Sequence, residues 1–224
     1  MTDLDGTFGL VESAYDKVAA DYDSDYLTPL SLAENREISK IFSTFNLRRY
    51  VNDVGCGTGL ALDLDLIPHP ESYIGIDASE GMLNRLVEKH PGTTVHHGNG
   101  WAKIYHPAQD VISLFGSPSY TPIVDVIAGA KHHLRAGGRF FLMPYARGRY
   151  QTAWKHSKHV DTHSNLWFMY SADQWRRFFV DAGAQNVEVR GFNLLRRARL
   201  LGIEAPLAKR WPDRCQYLII TGEF

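Results

Sequence analysis

Val51-Asn52-Asp53-Val54-Gly55-Cys56-Gly57-Thr58-Gly59 decides how this chain is read. A short β-rich run ends in three glycines at alternate positions. Glycine lets the backbone turn sharply and lets a ligand approach without meeting a Cβ. N–H groups exposed at a following helix start can receive an anionic group. A second β-rich run, Tyr73-Ile74-Gly75-Ile76-Asp77, ends in an acid 24 residues after Asp53. A carboxylate there can accept both hydroxyls of a ribose. The dinucleotide fingerprint asks for glycine or alanine where this chain has Leu60. The frame that fits is D-x-G-x-G-x-G over 53–59, which argues against a nicotinamide dinucleotide.

Outward from this loop, β-rich runs recur at 93–97, 110–115, 139–143, 186–190 and 215–221. The first of these are apolar, as strands covered on both faces are. Helical spacing lies between and before them. Residues 11–26 read as one helix with Val11, Tyr15, Val18 and Tyr22 on a face. After Pro29, Ile38, Ile41, Phe42 and Phe45 share another. Ser79 can cap a helix carrying Met82, Leu83, Leu86 and Val87. Residues 121–134 are helical in spacing, with Gly137-Gly138 as the stop. Ser171-Ala172-Asp173-Gln174 has capping-box form ahead of Trp175, Phe178 and Phe179. Leu60, Leu62, Leu64 and Leu66 alternate like a strand, but a glycine turn after a strand feeds a helix, so a helix is expected. Alternating β and α elements give a parallel sheet with helices on both faces. Ligands then sit beyond the carboxyl ends of the strands, near 55–59, 77, 98–101 and 115–120.

The chain has 224 residues with 44% hydrophobic and 22% charged content, so it is globular and long enough for a core without staples. Two cysteines build no disulfide framework or zinc cluster. No apolar run approaches a membrane span, and the acidic start lacks a secretory core; a cytoplasmic protein is expected. Net charge is −1, with residues 1–112 at −9 and residues 113–224 at +8. No block of consecutive basic residues exists, so the halves are read as neutralising each other rather than as a nucleic-acid face.

VNDVGCGTG (51–59) and YIGIDAS (73–79) resemble the first two motifs of the class I S-adenosylmethionine-dependent methyltransferases. Tyr15-Asp16-Lys17-Val18-Ala19-Ala20-Asp21-Tyr22-Asp23 resembles the family's Y-D-x-x-A-x-x-Y-D lead-in. DVISLFGSPSY (110–120) is similar to its fourth motif, and LRAGGRFFLMP (134–144) to the approach to strand five. Gly98-Asn99-Gly100-Trp101 stands where the family usually has Gly-Asp. The resemblance implies an α/β, Rossmann-like, seven-stranded and mostly parallel sheet, with order 3-2-1-4-5-7-6 and the last strand antiparallel. It implies S-adenosyl-L-methionine as cofactor. Gly55, Gly57 and Gly59, with Asp53 and Cys56, would shape the loop around its methionine part, and Asp77 with Ala78 would hold the ribose. Met82, Asn99, Gly100 and Trp101 would border the adenine, Phe115 and Gly116 the methyl-bearing sulfur, and Tyr15 and Tyr22 would close the pocket.

One domain over 1–224 is expected, with a helical lid at 1–46, a cover at about 147–170 and a basic insertion at about 192–214. Methyl transfer from a sulfonium is mainly a matter of alignment. A base is needed only for an acceptor protonated at working pH. Candidates are His156, His159 and His163 in the cover, at helical spacings of three and four, and Tyr120. No metal is expected. The acceptor is read as a small molecule methylated on nitrogen or oxygen, the protein as a monomer or homodimer. RNA or DNA methylation, or cofactor binding without catalysis, are the alternatives. Ser117-Pro118-Ser119-Tyr120 resembles the S-P-P-Y of amino-methylating DNA enzymes but departs at Ser119, and no target-recognition domain fits the length.

Overall fold

In the computed structural model, which describes residues 4–102, 106–147, 168–193 and 204–224, the glycine-bearing strand lies inside a seven-stranded sheet. The strands are β1 (Val51–Val54), β2 (Tyr73–Asp77), β3 (Thr94–His97), β4 (Ala108–Ser113), β5 (Leu134–Leu142), β6 (Gln185–Phe192) and β7 (Tyr217–Glu223). Their order is β3-β2-β1-β4-β5-β7-β6. Val51 stands beside Tyr73 on one side and Asp110 on the other, both in parallel register. β3 and β4 also pair in parallel with β2 and β5, whereas β7 runs antiparallel to both β5 and β6. The expected order and the antiparallel last strand are therefore those of the molecule.

Alternate residues of the strands feed two cores. Phe140, Leu142 and Ile220 pack with Trp175 and Phe179 on one side. Phe141, Met143 and Ile219 pack with Ile38 and Phe42 on the other. Each such buried side chain contributes about 1.5–3 kcal/mol relative to exposure. The helices that cover the faces are α2 (Pro29–Phe45), α4 (Glu80–Lys89), α5 (Ile123–His133) and α6 (Ala172–Asp181). Thr28, Ser79 and Ser171 cap three of them through side-chain oxygens, and Ser171 with Gln174 forms the full capping box. At the edge away from the glycine loop, the fully buried Asp110 accepts from Arg48 Nε (3.0 Å) and Arg139 Nε (2.9 Å). Arg139 also donates to the Phe45 and Asn46 carbonyls, where α2 ends. Removing both arginines would leave the buried carboxylate uncompensated, at a cost of about 3–5 kcal/mol.

Several expectations need correction. The single helix over 11–26 is two elements: α1 (Leu4–Asp16) and a 3-10 turn (Tyr22–Tyr26). Asp16 turns its carboxylate onto α4, and Asp21, Asp23 and Ser24 are residues that compete with the helix backbone. Ser24 Oγ, for instance, donates to the Asp21 carbonyl. After the glycine loop only one turn is helical, α3 (Leu60–Asp63); Asp65 adopts φ 53° and Pro68 follows. α5 ends at His133, before Gly137-Gly138, because Leu134 already pairs with Ala108 as strand. β3 is an edge strand with no buried residue, not one covered on both faces. β6 ends at Phe192, and α7 (Glu204–Arg210) falls within the stretch expected as a basic insertion. Among the described residues no helix is long and apolar enough to cross a membrane.

Candidate active site

The loop after β1 is shaped by three left-handed glycines: Gly55 at φ 75°, Gly57 at 55° and Gly59 at 93°. Gly55 and Cys56 both donate backbone N–H to the Ile76 carbonyl, which draws the loop across the end of β2. A Cβ on Gly55 would stand 1.8 Å from Ser117 Oγ, so the loop after β4 presses on it directly. Asp77 completes the fastening: Oδ2 accepts from Gly57 N (2.8 Å) and Oδ1 from Ser79 N (2.9 Å). An ionised carboxylate has about four acceptor positions. The backbone bonds do not exhaust that capacity, and Asp77 remains partly accessible. Burial raises its pKa, and the backbone bonds from Ser79 and Gly57 oppose the rise.

Beneath the loop lies Asp53, which is 1% exposed. Its Oδ2 accepts from Tyr73 Oη at 2.9 Å, whereas buried Oδ1 has no hydrogen-bond partner. Burial pushes Asp53 up to about 7, against the Tyr73 hydroxyl and helped by the charge of Asp77. The buried Cys56 thiol is pushed well up by the same desolvation, so it stays protonated and is no nucleophile.

At the end of β3, Gly98 N donates to the Asp77 carbonyl (2.9 Å), and Asn99 Oδ1 accepts from Trp101 N (3.1 Å). Gly100 is required here, since a Cβ would meet Val54 Cγ1 at 2.6 Å. Trp101 and Met82 turn into the protein, at 6% and 1% exposure. His133, the last residue of α5, is a fully buried strut. Its Nδ1 lies 3.0 Å from Asn52 Nδ2 and its Nε2 lies 2.6 Å from the Gly100 carbonyl. An amide donor on Nδ1 assigns the proton to Nε2. Desolvation lowers its pKa and keeps the ring neutral.

After β4, Phe115 (φ 44°) and Gly116 (φ 93°) turn the chain into a 3-10 segment, Ser117–Tyr120. A Cβ on Gly116 would lie 2.3 Å from Tyr145 Cζ. The serines of this segment serve its own geometry. Ser117 Oγ donates to the Val54 carbonyl (3.3 Å), and Ser119 Oγ accepts from Tyr145 N (2.8 Å). That use accounts for the partial likeness to the DNA-enzyme motif without a target base.

The N-terminal segment closes on this ground through two Tyr-Asp pairs. Asp16 Oδ1 accepts from Ser79 Oγ and from Gly81 N (2.9 Å), at the start of α4. Asp23 accepts from Thr58 Oγ1 of the glycine loop and pairs with Lys89 at 2.9 Å. Glu12 lies 3.2 Å from His97 Nε2. The tyrosine of each pair goes elsewhere. Tyr15 Oη and Tyr120 Oη are 2.9 Å apart, and the Tyr15 ring meets Tyr22 and Tyr120 edge-on at 6.1 and 6.0 Å. Burial, reinforced by neighbouring phenols, raises Tyr15 and Tyr22 well above the usual tyrosine value.

Tyr15, Tyr22, Asp53, Gly55, Cys56, Gly57, Gly59, Asp77, Ala78, Asn99, Gly100, Phe115, Gly116 and Tyr120 thus lie in or beside loops that meet at one end of the sheet. Sequence reasoning missed His133, Tyr145, Tyr217 and the two aspartates of the Tyr-Asp pairs. The aspartates stood inside the motif; nothing local marks the others. His156, His159 and His163 lie outside the described residues. Among the described residues no group of three His, Cys, Asp or Glu side chains could hold a metal.

No family model matches the sequence, and no curated protein matches it. Solved structures do resemble it in shape. A methyltransferase from Thermotoga maritima, described as a possible histamine N-methyltransferase, superposes with TM-score 0.67 at 13% identity, covering 95% of this chain and 98% of its own. Geranyl diphosphate C-methyltransferase from Streptomyces coelicolor, in complex with Mg2+, geranyl diphosphate and S-adenosyl-L-homocysteine, gives 0.63 at 14% identity over 91% and 82%. Phosphoethanolamine N-methyltransferase 2 from Haemonchus contortus, in complex with S-adenosyl-L-methionine, gives 0.61 at 16% over 85% and 52%. With the strand order and the glycine loop, these likenesses identify the Rossmann-like fold of the class I S-adenosylmethionine-dependent methyltransferases.

Proposed function

We propose that this chain is an S-adenosylmethionine-dependent methyltransferase acting on a nitrogen or oxygen of a small-molecule acceptor. The observation that carries the reading is Asp77. It fastens Gly57 and Ser79 by one oxygen each, yet stays accessible with acceptor capacity left for a ribose. The left-handed Gly57 has no atom within 4 Å of its Cβ position, so a ligand can lie against the backbone there. Asp53 offers a buried oxygen without a partner beneath the same loop. These features fit a nucleoside carrying an amino-acid tail.

In this reading Asp77 and Ala78 hold the ribose, and Gly55, Cys56, Gly57 and Gly59 shape the methionine end above Asp53. Asn99 and Gly100 border the adenine, with Met82 and Trp101 as the packed floor behind them. Phe115 and Gly116 face the reacting end. The cofactor supplies an activated methyl on a sulfonium. The protein aligns the acceptor with it, and such positioning can supply about 7–11 kcal/mol of the barrier. Residues 1–46 act as lid, about 147–170 as cover, and about 192–214 as a basic flank. Tyr15 and Tyr22 hold their protons at neutral pH, so they exclude water and orient rather than accept a proton.

The test is transfer of labelled methyl from S-adenosylmethionine to matched amines, phenols and alcohols. Label appearing on one acceptor class, with S-adenosylhomocysteine released in equal amount, is expected. Binding of the nucleoside with no transfer to any class would favour a non-catalytic binder, and no binding would remove the cofactor assignment.

A further inference from the structure

Five tyrosines reach one region from four separated parts of the chain. Tyr15 and Tyr22 come from the N-terminal segment, Tyr120 from the turn after β4, Tyr145 from just beyond β5, and Tyr217 from the start of β7. Tyr15 sits edge-on to Tyr22 and Tyr120, and Tyr145 stacks on Tyr217 with centroids 5.2 Å apart. The two groups join at Gly116, which has no side chain because the Tyr145 ring occupies that space. Tyr217 is buried, whereas Tyr15, Tyr22, Tyr120 and Tyr145 each keep part of their surface accessible. Desolvation nevertheless holds the Tyr15 and Tyr22 phenols well above their usual value. The cluster lies beside Phe115 and Gly116, where the proposed function places the reacting methyl.

Neutral phenols present ring faces whose quadrupole attracts a cation. In methyl transfer to an amine, the nitrogen lone pair forms the new N–C bond. The S–C bond breaks with its electron pair staying on sulfur. Positive charge therefore moves from sulfonium to ammonium, and the surplus proton leaves to solvent afterwards. A wall of π faces attracts that charge at its destination, so it favours the transition state over the neutral amine. An alcohol carries no charge once methylated and must lose a proton, which protonated phenols do not accept.

We infer that the tyrosine cluster beside Gly116 forms a wall of the acceptor subsite and that the acceptor is an amine, methylated on nitrogen. This rests on the methyltransferase reading and selects nitrogen over oxygen within it.

The experiment uses the full chain saturated with S-adenosylhomocysteine, whose own binding is measured first. Choline is then titrated against its uncharged isostere 3,3-dimethylbutan-1-ol in the wild type, Tyr22→Phe and Tyr22→Leu. The expected result is that choline binds at least about tenfold more tightly than the alcohol. Tyr22→Phe keeps that preference and Tyr22→Leu loses most of it, each variant being titrated at saturating S-adenosylhomocysteine. Equal binding of the two probes, binding of neither, or a preference untouched by Tyr22→Leu overturns the amine assignment. Failure to bind S-adenosylhomocysteine at the outset overturns the methyltransferase reading instead.

Discussion

The two halves of the site are made in different ways. The half proposed to hold the nucleoside uses loops that directly follow β1, β2 and β3, and its contacts are mostly backbone amides on carboxylates: Gly57 N and Ser79 N on Asp77, Gly81 N on Asp16. The tyrosine half is assembled from side chains as far apart as Tyr15 and Tyr217, with Tyr15 and Tyr120 joined hydroxyl to hydroxyl across 105 residues. A backbone cradle needs only glycines and an acid at fixed spacing, so it suits one invariant ligand. A side-chain wall can change residue by residue and suits the variable partner. Each Tyr-Asp pair of the N-terminal segment spans both, with the acid on the nucleoside loops and the ring on the wall.

Substitutions in one half should leave the other measurable. Asp77→Ala has the largest expected effect: hydrogen bonds to a charged group are worth about 1.5–3 kcal/mol each, so losing two weakens S-adenosylhomocysteine binding by roughly 100-fold or more. Calorimetric titration reads it, and an unchanged affinity would remove Asp77 from the nucleoside half. Asp53→Asn probes the same half through pH. The buried Asp53 carboxyl is raised from 3.8 to about 7, so the folded state holds its proton after the unfolded chain has released it. Its stabilising contribution is complete below about pH 4 and is lost as pH rises to about 7, by roughly 1.4 kcal/mol per unit. Urea melts of wild type should show that decline and Asp53→Asn should not; parallel curves would refute it.

Gly116→Ala strikes the junction. The new Cβ meets the Tyr145 ring and sits at φ 93°, so a stability loss of about 1–3 kcal/mol is expected. Turnover should fall more than tenfold while S-adenosylhomocysteine affinity stays within about threefold; equal losses in both would mean that the halves are one unit. The smallest change is Tyr15→Phe, which removes the hydroxyl pair with Tyr120 for about 1 kcal/mol in thermal stability and leaves nucleoside affinity alone.

The same division explains what the sequence discloses. The sheet order is what the family resemblance implies, whereas the caps at Ser79 and Ser171 and the loop acids follow from local patterns: a serine ahead of a helical face, glycines at alternate positions, a strand ending in Asp77. The helix over 11–26 is misread because periodicity at Tyr15, Val18 and Tyr22 says nothing of Asp16 being drawn to α4. The leucines of 60–66 fail for a related reason, since one turn and a left-handed Asp65 replace a helix. His133 looks like any helix-end histidine until β1 and the Gly100 turn are seen to bracket it. Tyr145 and Tyr217 become partners only through the antiparallel pairing of β5 with β7.

The most direct test of the central claim is calorimetric titration of the wild-type protein with S-adenosylhomocysteine and, separately, with NAD. Micromolar binding of the first and none of the second is expected. A well-folded protein that binds neither, or that prefers NAD, would contradict it.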